Sequence, residues 1–212
     1  MTDHWDDYAM LRTALLEHPM TVPPALRSSL RSYGSVQIED LVEAEAVTVY
    51  LSPPTLASDN GDLPMLSVKD VRLGRPPSRY GSADTPGAVT VRSGDIAVVV
   101  GVGAAISVCT DGGILLGPGI HLVRCNPDTL DPHFLACVLR GAIDTDDGSP
   151  VDLYGIEVPR VPLAEQRRYG VAYARLCELE ASWRRRRANI EQLVRTGIRG
   201  LATGALQPDP GE

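Results

Sequence analysis

Two spacings of apolar residues divide the chain, and each predicts its own kind of element. Trp5, Tyr8, Met10, Leu11, Leu15 and Leu16 recur at a helical period with acids in the first turn, which predicts a helix over residues 3–19. Pro23-Pro24 opens a second short helix, ALRSSLRSYG, that Gly34 ends. VQIEDLVEAEAVTVYLS, rich in β-branched residues, reads as strand and runs into the breaker-rich PPTLASDNGD. LPMLSVKDV reads as a strand with partial alternation, and RLGRPPSRYGSADTPG as an irregular loop. AVTVRSGDIAVVV holds two strand-like runs joined by Ser93-Gly94-Asp95, turn chemistry suited to a hairpin. ISVCTDGGILL repeats the idea with Asp111-Gly112-Gly113 as its turn, and GIHLVRCNP is a further strand. Asp131 caps a helix with Pro132 in its first turn, PHFLACVLR as its body and Gly141 as its stop. After the acidic loop AIDTDDGSPVD, the short strand GIEVPRVP leads into a long final helix, about Leu163 to Ala202.

That last helix carries Leu176, Leu179, Trp183, Ile190 and Leu193 on a/d positions of one heptad frame, broken only by Arg186. Val194, Ile198 and Leu201 continue the apolar stripe. Such a helix reaches ~60 Å and needs a partner surface, the alternative being packing on its own domain. In Trp183-Arg184-Arg185-Arg186-Arg187 four successive arginines point in four directions, so they form a solvated helix surface rather than a groove-reading face.

The stretch SGDIAVVVGVGAAISV raises the question of a phosphate-cradling loop. A dinucleotide fingerprint needs a small third position and a following helix. Here Ile106 stands at that position, the chain turns again at Gly112-Gly113, and the only lysine is Lys69. The glycines of GVG therefore serve a hairpin.

Composition narrows the function classes. With 43% apolar but only 5% aromatic residues, the core must be Val, Leu, Ile and Ala, and the 212 residues suit one domain with an appendage or two small ones. Cys109, Cys125, Cys137 and Cys177 are scattered without a CxxC pair, and His4, His18, His121 and His133 have no partner by motif. Asp144, Asp146 and Asp147 lack the spacing of a calcium loop. No metal, cofactor or catalytic residue is expected, and a small-molecule enzyme would need a deep pocket lined by convergent polar groups. The acidic start is no signal peptide and the longest apolar run is too short to span a bilayer, so a soluble cytoplasmic protein without membrane contact is expected. The net charge is −7, yet residues 61–110 carry +1 and residues 161–212 carry +3. Nucleic-acid binding needs a local basic face rather than a basic total.

Several segments occur in an order that resembles a known family: GDLPMLSVKDV; VRSGDIAVVVGVGAAISV; GILLGPGIHLVRCNPDTLDPHFLACVLRG; VPRVPLAEQRRYGVAYARLCELEASW; and IRGLATGALQP. VPLAEQRR followed by a long helix and a closing TGALQP is the most specific element. The chain thus resembles the specificity subunits of type I restriction–modification systems, as a half-subunit or the C-terminal part of an adenine-specific DNA methyltransferase, over about residues 36–208. The resemblance implies an α+β fold, with a globular mixed-sheet target-recognition domain at 35–162 and a spacer helix at 163–206; the helical segment expected at 1–34 is not explained by it, and residues 207–212 are expected to be a disordered tail.

It also implies sequence-specific DNA recognition that directs an adenine methyltransferase, in restriction–modification or related phage defence. The aromatic-bearing methyl-transfer motif [ND]PP[YF] is missing at Ser52-Pro53-Pro54-Thr55 and Asn126-Pro127-Asp128, so the chain itself is not an enzyme and a partner subunit must transfer the methyl group. The expected partners are double-stranded DNA, a methyltransferase subunit and a second copy of the chain, paired through Leu176, Leu179, Trp183, Ile190 and Leu193. The candidate DNA contacts are Lys69, Arg72, Arg75, Ser78, Arg79 and Tyr80, a stiff arginine-bearing loop suited to guanine, with Arg92 and Arg124 on phosphates. Asp70 is either a cytosine acceptor or a turn cap. A merely solvated loop is the alternative for this cluster, and a defence-complex assembly module without DNA contact is the alternative for the chain.

Overall fold

The computed structural model describes residues 4–17, 21–29, 31–53, 61–144 and 151–209. Two units emerge from the contacts within the chain, Met1–Leu26 with Arg175–Glu212, and Arg27–Ala174. Asp146 and Asp147, the stretch 54–60, His18 and the last three residues of the expected tail lie outside the described residues.

Among the described residues, the larger unit has three sheets. A four-stranded antiparallel sheet runs in the order β2 (Val47–Leu51), β8 (His121–Cys125), β5 (Ile96–Val99), β6 (Ala105–Val108). A three-stranded sheet has β3 (Leu63–Leu66) at its centre, antiparallel to β4 (Arg79–Gly81) and parallel to β7 (Leu115–Leu116). The third sheet pairs β1 (Ser35–Gln37) with β9 (Glu157–Pro159). β5 is buried along its whole length, which explains why its sequence is a continuous apolar run rather than an alternation. Ala97 and Val99 join Leu66, Val71, Val91, Leu116, Ile120 and Leu122 in the main core, while Ile96 and Val98 fall on the opposite face by strand alternation.

Several short-range expectations are corrected. VQIEDLVEAEAVTVYLS contains α2 (Ile38–Glu43) between two strands, and the second half of LPMLSVKDV is α3 (Val68–Leu73). In both, an acid four positions into the helix-start pattern turns the chain: Asp40 accepts from the Gln37 N–H, and Asp70 from the Ser67 N–H. The described residues of 21–34 form no helix after Pro23-Pro24. Nor do Ser93-Gly94-Asp95 and Asp111-Gly112-Gly113 close hairpins. They lead between the four-stranded sheet and the segment beside β7, where Val91 and Gly113 exchange backbone hydrogen bonds with Ile114 and Val91. The GVG segment, by contrast, does close the β5–β6 hairpin, with Val99 opposite Ala105.

Asp131 caps α4 (Pro132–Asp144) by accepting from the Phe134 N–H at 2.9 Å, and the helix runs through Gly141. The long α5 (Leu163–Thr203) begins inside the larger unit. Buried Gln166 accepts from the Asp131 N–H and donates to the Val161 carbonyl, joining the starts of both helices to the end of β9. Glu165 accepts from Tyr33 and Arg31, and the hydrogen bond from Tyr33 leads in holding its carboxyl below the usual range. In the smaller unit, Tyr8 of α1 (His4–Glu17) lies against Gly197, and Leu206 folds back onto Gly200 after a left-handed Gly204.

Two glycines should respond oppositely to alanine. At Gly170 a Cβ would overlap the capping oxygen of Asp131, so Gly170→Ala lowers stability by about 1–2 kcal/mol. Gly141 lies within the last turn of α4 in open space, so Gly141→Ala raises stability by about 0.5–1 kcal/mol. Chemical denaturation of both variants checks this pair.

Candidate nucleic-acid interface

The candidate residues fall on α3, the loop after it, β4, the loop before β5, and β8. α3 starts at Ser67, whose side chain accepts from the Asp70 N–H, and ends at Gly74 in the left-handed conformation. Asp70 itself is fully buried, at 0% exposure. Its carboxylate accepts from the Ser67 N–H and hydroxyl, from Arg75 Nε at 2.6 Å, and from the Ser78 N–H at 3.1 Å and hydroxyl at 2.7 Å. Arg75 Nη2 also donates to Ser78 Oγ at 3.0 Å. Burial alone pushes this carboxyl up. The donors from Ser67, Ser78 and Arg75 outweigh it and hold the group well below the ordinary carboxylate range. Asp70 is therefore a cap and a strut rather than a base acceptor.

A second aspartate works in the same way. Asp95, 2% exposed, accepts both Nε and Nη2 of Arg124, at 2.8 and 2.6 Å, and the backbone N–H of Arg92 at 2.7 Å. Arg124 also donates to the Thr90 carbonyl and lies over the Tyr50 ring, 4.9 Å from its centroid. The hydrogen bond to Asp95 leads in raising its pKa.

These contacts correct the expected arginine edge. Arg72, Arg75 and Arg79 do not form one free row, because Arg75 is tied to a carboxylate of its own chain. Ser78 and Arg124 are likewise bonded internally, to Asp70 and Asp95. Arg75 and Ser78 are exposed but bonded to Asp70, whereas Lys69, Arg72, Arg79, Tyr80 and Arg92 are exposed with no bond from their side chains to an acid among the described residues. Lys69 and Arg72 lie three positions apart on α3 and share a face. Arg79 and Tyr80 are neighbours on the edge strand β4, paired with Met65 and Pro64, so they point to opposite faces. Arg72 Nη2 donates to the carbonyl of Val102 at the β5–β6 tip, a contact no local pattern announces.

Other chemistry finds little footing. Among the described residues no group of three His, Cys, Asp or Glu could hold a metal ion, and no helix is long and apolar enough to cross a membrane. Burial pushes the Cys109 thiol up to about 11 and that of Cys125 to about 12, which keeps both protonated near neutral pH. On α5, Leu176, Trp183 and Ile190 are exposed and Leu179 and Leu193 half-buried, while Arg184 and Arg187 pair with Glu180 and Glu191 along the helix.

The buried pairs give a stability signature. Arg75→Ala should destabilise by about 1.5–3 kcal/mol, and Asp70→Ala by about 3–5, because each leaves buried partners unpaired. Since the folded pKa of Asp70 is depressed, its contribution is complete above the unfolded value of 3.8 and is lost as pH falls below it. Urea titrations between about pH 6 and pH 3 should show a slope that Asp70→Asn diminishes.

No protein-family model and no protein with a curated function matches the sequence. Solved structures do. The chain is similar to one from a structure of complex assembly and conformational transition of the type I R-M system, with TM-score 0.54 and 21% identity over 94% of this chain and 50% of that one. It is also similar to the HsdS subunit from Thermoanaerobacter tengcongensis, with TM-score 0.50 and 20% identity over 93% of this chain and 52% of that one. At such identities the likeness is one of fold, and over about half the length of those structures this chain has the fold of a type I restriction–modification HsdS subunit.

Proposed function

We propose that the chain is a non-catalytic recognition component that reads a short site on double-stranded DNA and holds an adenine-specific methyltransferase subunit over it, within restriction–modification or related phage defence. The single observation that carries this reading is the shared fold, a mixed-sheet unit running into a 41-residue helix, over nearly the whole chain. The surface chemistry agrees with it. Lys69 and Arg72 offer cations on one face of α3, Arg79 adds one on the edge strand β4, and Arg92 is exposed, its backbone N–H held by Asp95. Their supports are internal ion pairs, so these side chains are presented by a frame already rigid before DNA arrives, which lowers the entropy cost of binding. Tyr80, on the opposite face of β4 from Arg79, meets a different part of the complex.

The stripe of Leu176, Leu179, Trp183, Ile190 and Leu193 packs against the same stripe of a second copy, or against a helix of the methyltransferase complex. Apolar side chains at a/d spacing, three of them exposed, support that role.

Fluorescence anisotropy with the full chain and a labelled random-sequence duplex tests the reading. Affinity should fall steeply between about 50 and 200 mM salt, and Lys69→Ala or Arg79→Ala should each reduce the salt slope by about one with the melting temperature unchanged. No duplex binding, together with retained capture of the methyltransferase, would favour an assembly module instead.

A further inference from the structure

The β5–β6 tip is locked to Arg72 in one element, of which the DNA-reading proposal uses the arginine alone. Val102 at that tip is 92% exposed, a β-branched apolar side chain held almost entirely in water. Single exposed apolar residues are ordinary. This one differs because its position is fixed from three sides. Gly101 and Gly103 flank it with φ of 82° and 70°, a left-handed backbone that sharpens the turn. Its carbonyl accepts from Arg72 Nη2 at 2.6 Å. A Cβ at Gly103 would lie 3.4 Å from Arg72 Cζ and Nε, so the guanidinium is in packing contact with the tip at a position whose φ favours glycine. Behind them α3 packs on β5 and β6 and is rooted by the buried Asp70.

We propose that Arg72 and Val102 form a single base-reading element in the major groove, in which Arg72 takes a guanine edge and Val102 touches the 5-methyl group of a thymine on the neighbouring base pair. The inference rests on the DNA-reading proposal and adds a residue and a base preference to it. A two-stranded hairpin fits the major groove. Val102 has neither donor nor acceptor on its side chain, so the thymine methyl is the one group on a base edge that it can read there. Arg72 keeps N–H donors beyond the one given to Val102, and guanine O6 and N7 are the acceptors that fit its fork. The segment 100–104 is Val-Gly-Val-Gly-Ala, without a charge, and it is bonded to the cation Arg72 of α3, a helix that also exposes Lys69 and Leu73. An apolar tip bonded to a guanidinium suits a duplex better than an apolar protein surface, which would give that cation no acceptor.

The experiment selects bound sites from a pool of randomised duplexes with the full-length wild-type chain, then measures affinity for the selected duplex and for the same duplex with each thymine replaced in turn by deoxyuridine. Removing the methyl group at one position next to a guanine should weaken wild-type binding about fourfold, the effect of burying one methyl. Val102→Ala should bind the thymine and uracil forms alike, with the guanine preference and the melting temperature kept, and Arg72→Lys should lose the guanine preference. If the wild type selects a site but no thymine methyl matters, or Val102→Ala discriminates as the wild type does, the inference is overturned and DNA reading stands. If Val102→Ala keeps its DNA behaviour but no longer captures the methyltransferase, the tip is a protein contact and the inference is equally overturned. If the wild type binds no duplex, both proposals fall together.

Discussion

An ionised carboxylate removed from water costs several kcal/mol unless other donors replace its hydration, and Asp70 meets that condition with side chains drawn from both ends of one loop. Ser67 stands at the start of α3, Arg75 just beyond its end, and Ser78 one residue before β4. One buried group therefore sets where the helix begins, how the loop closes and how the edge strand enters its sheet. Arg72 reaches the β5–β6 tip from a helix whose position that carboxylate decides. The surface cations are where they are because this acid sits underneath them. Asp95 does comparable work for Arg92 and Arg124, fastening the loop before β5 to β8.

The start of α5 shows the same economy of polar contacts. In VPLAEQRR the glutamate and the glutamine have separate duties. Glu165 accepts from Tyr33 and Arg31, and Gln166 joins the Asp131 N–H to the Val161 carbonyl. Gly170, one turn on, lets the helix lie against the cap of α4. This motif is the most recognisable piece of the sequence, and its glutamate and glutamine hold the geometry of a junction. The same is true of the closing TGALQP, where Gly204 reverses the chain and Leu206 returns to Gly200.

What the sequence disclosed follows from the range of the forces involved. Signals contained within a few residues were readable: the heptad spacing of α5, the Asp131 cap, the glycines of the β5–β6 hairpin. The apolar residues ahead of Ser67, which read as strand, hid α3, although Ser67 and Asp70 stand at the spacing of a capping box and could have revealed it. Pairings between distant segments left no local trace. Turn-like Ser93-Gly94-Asp95 and Asp111-Gly112-Gly113 suggested hairpins because nothing local says that β7 pairs in parallel with β3, some fifty residues earlier. The same limit governed the candidate site. Lys69, Arg72, Arg79, Tyr80 and Arg92 are at the surface as expected, but Arg75, Ser78 and Arg124 are bonded to acids whose burial depends on the whole core. A charge count along the chain cannot tell a cation offered to a ligand from one already paired.

The amide of Ser78 reports most directly on the strut, since its only role in the loop is to donate to Asp70 Oδ2. Hydrogen exchange on the native protein near neutral pH should find that amide protected like the backbone of β4, and Asp70→Asn should speed its exchange while leaving β8 unchanged. Exchange of Ser78 at the rate of an open loop in the wild-type chain would mean that the carboxylate does not hold this segment, and the structural account of the candidate interface would be wrong.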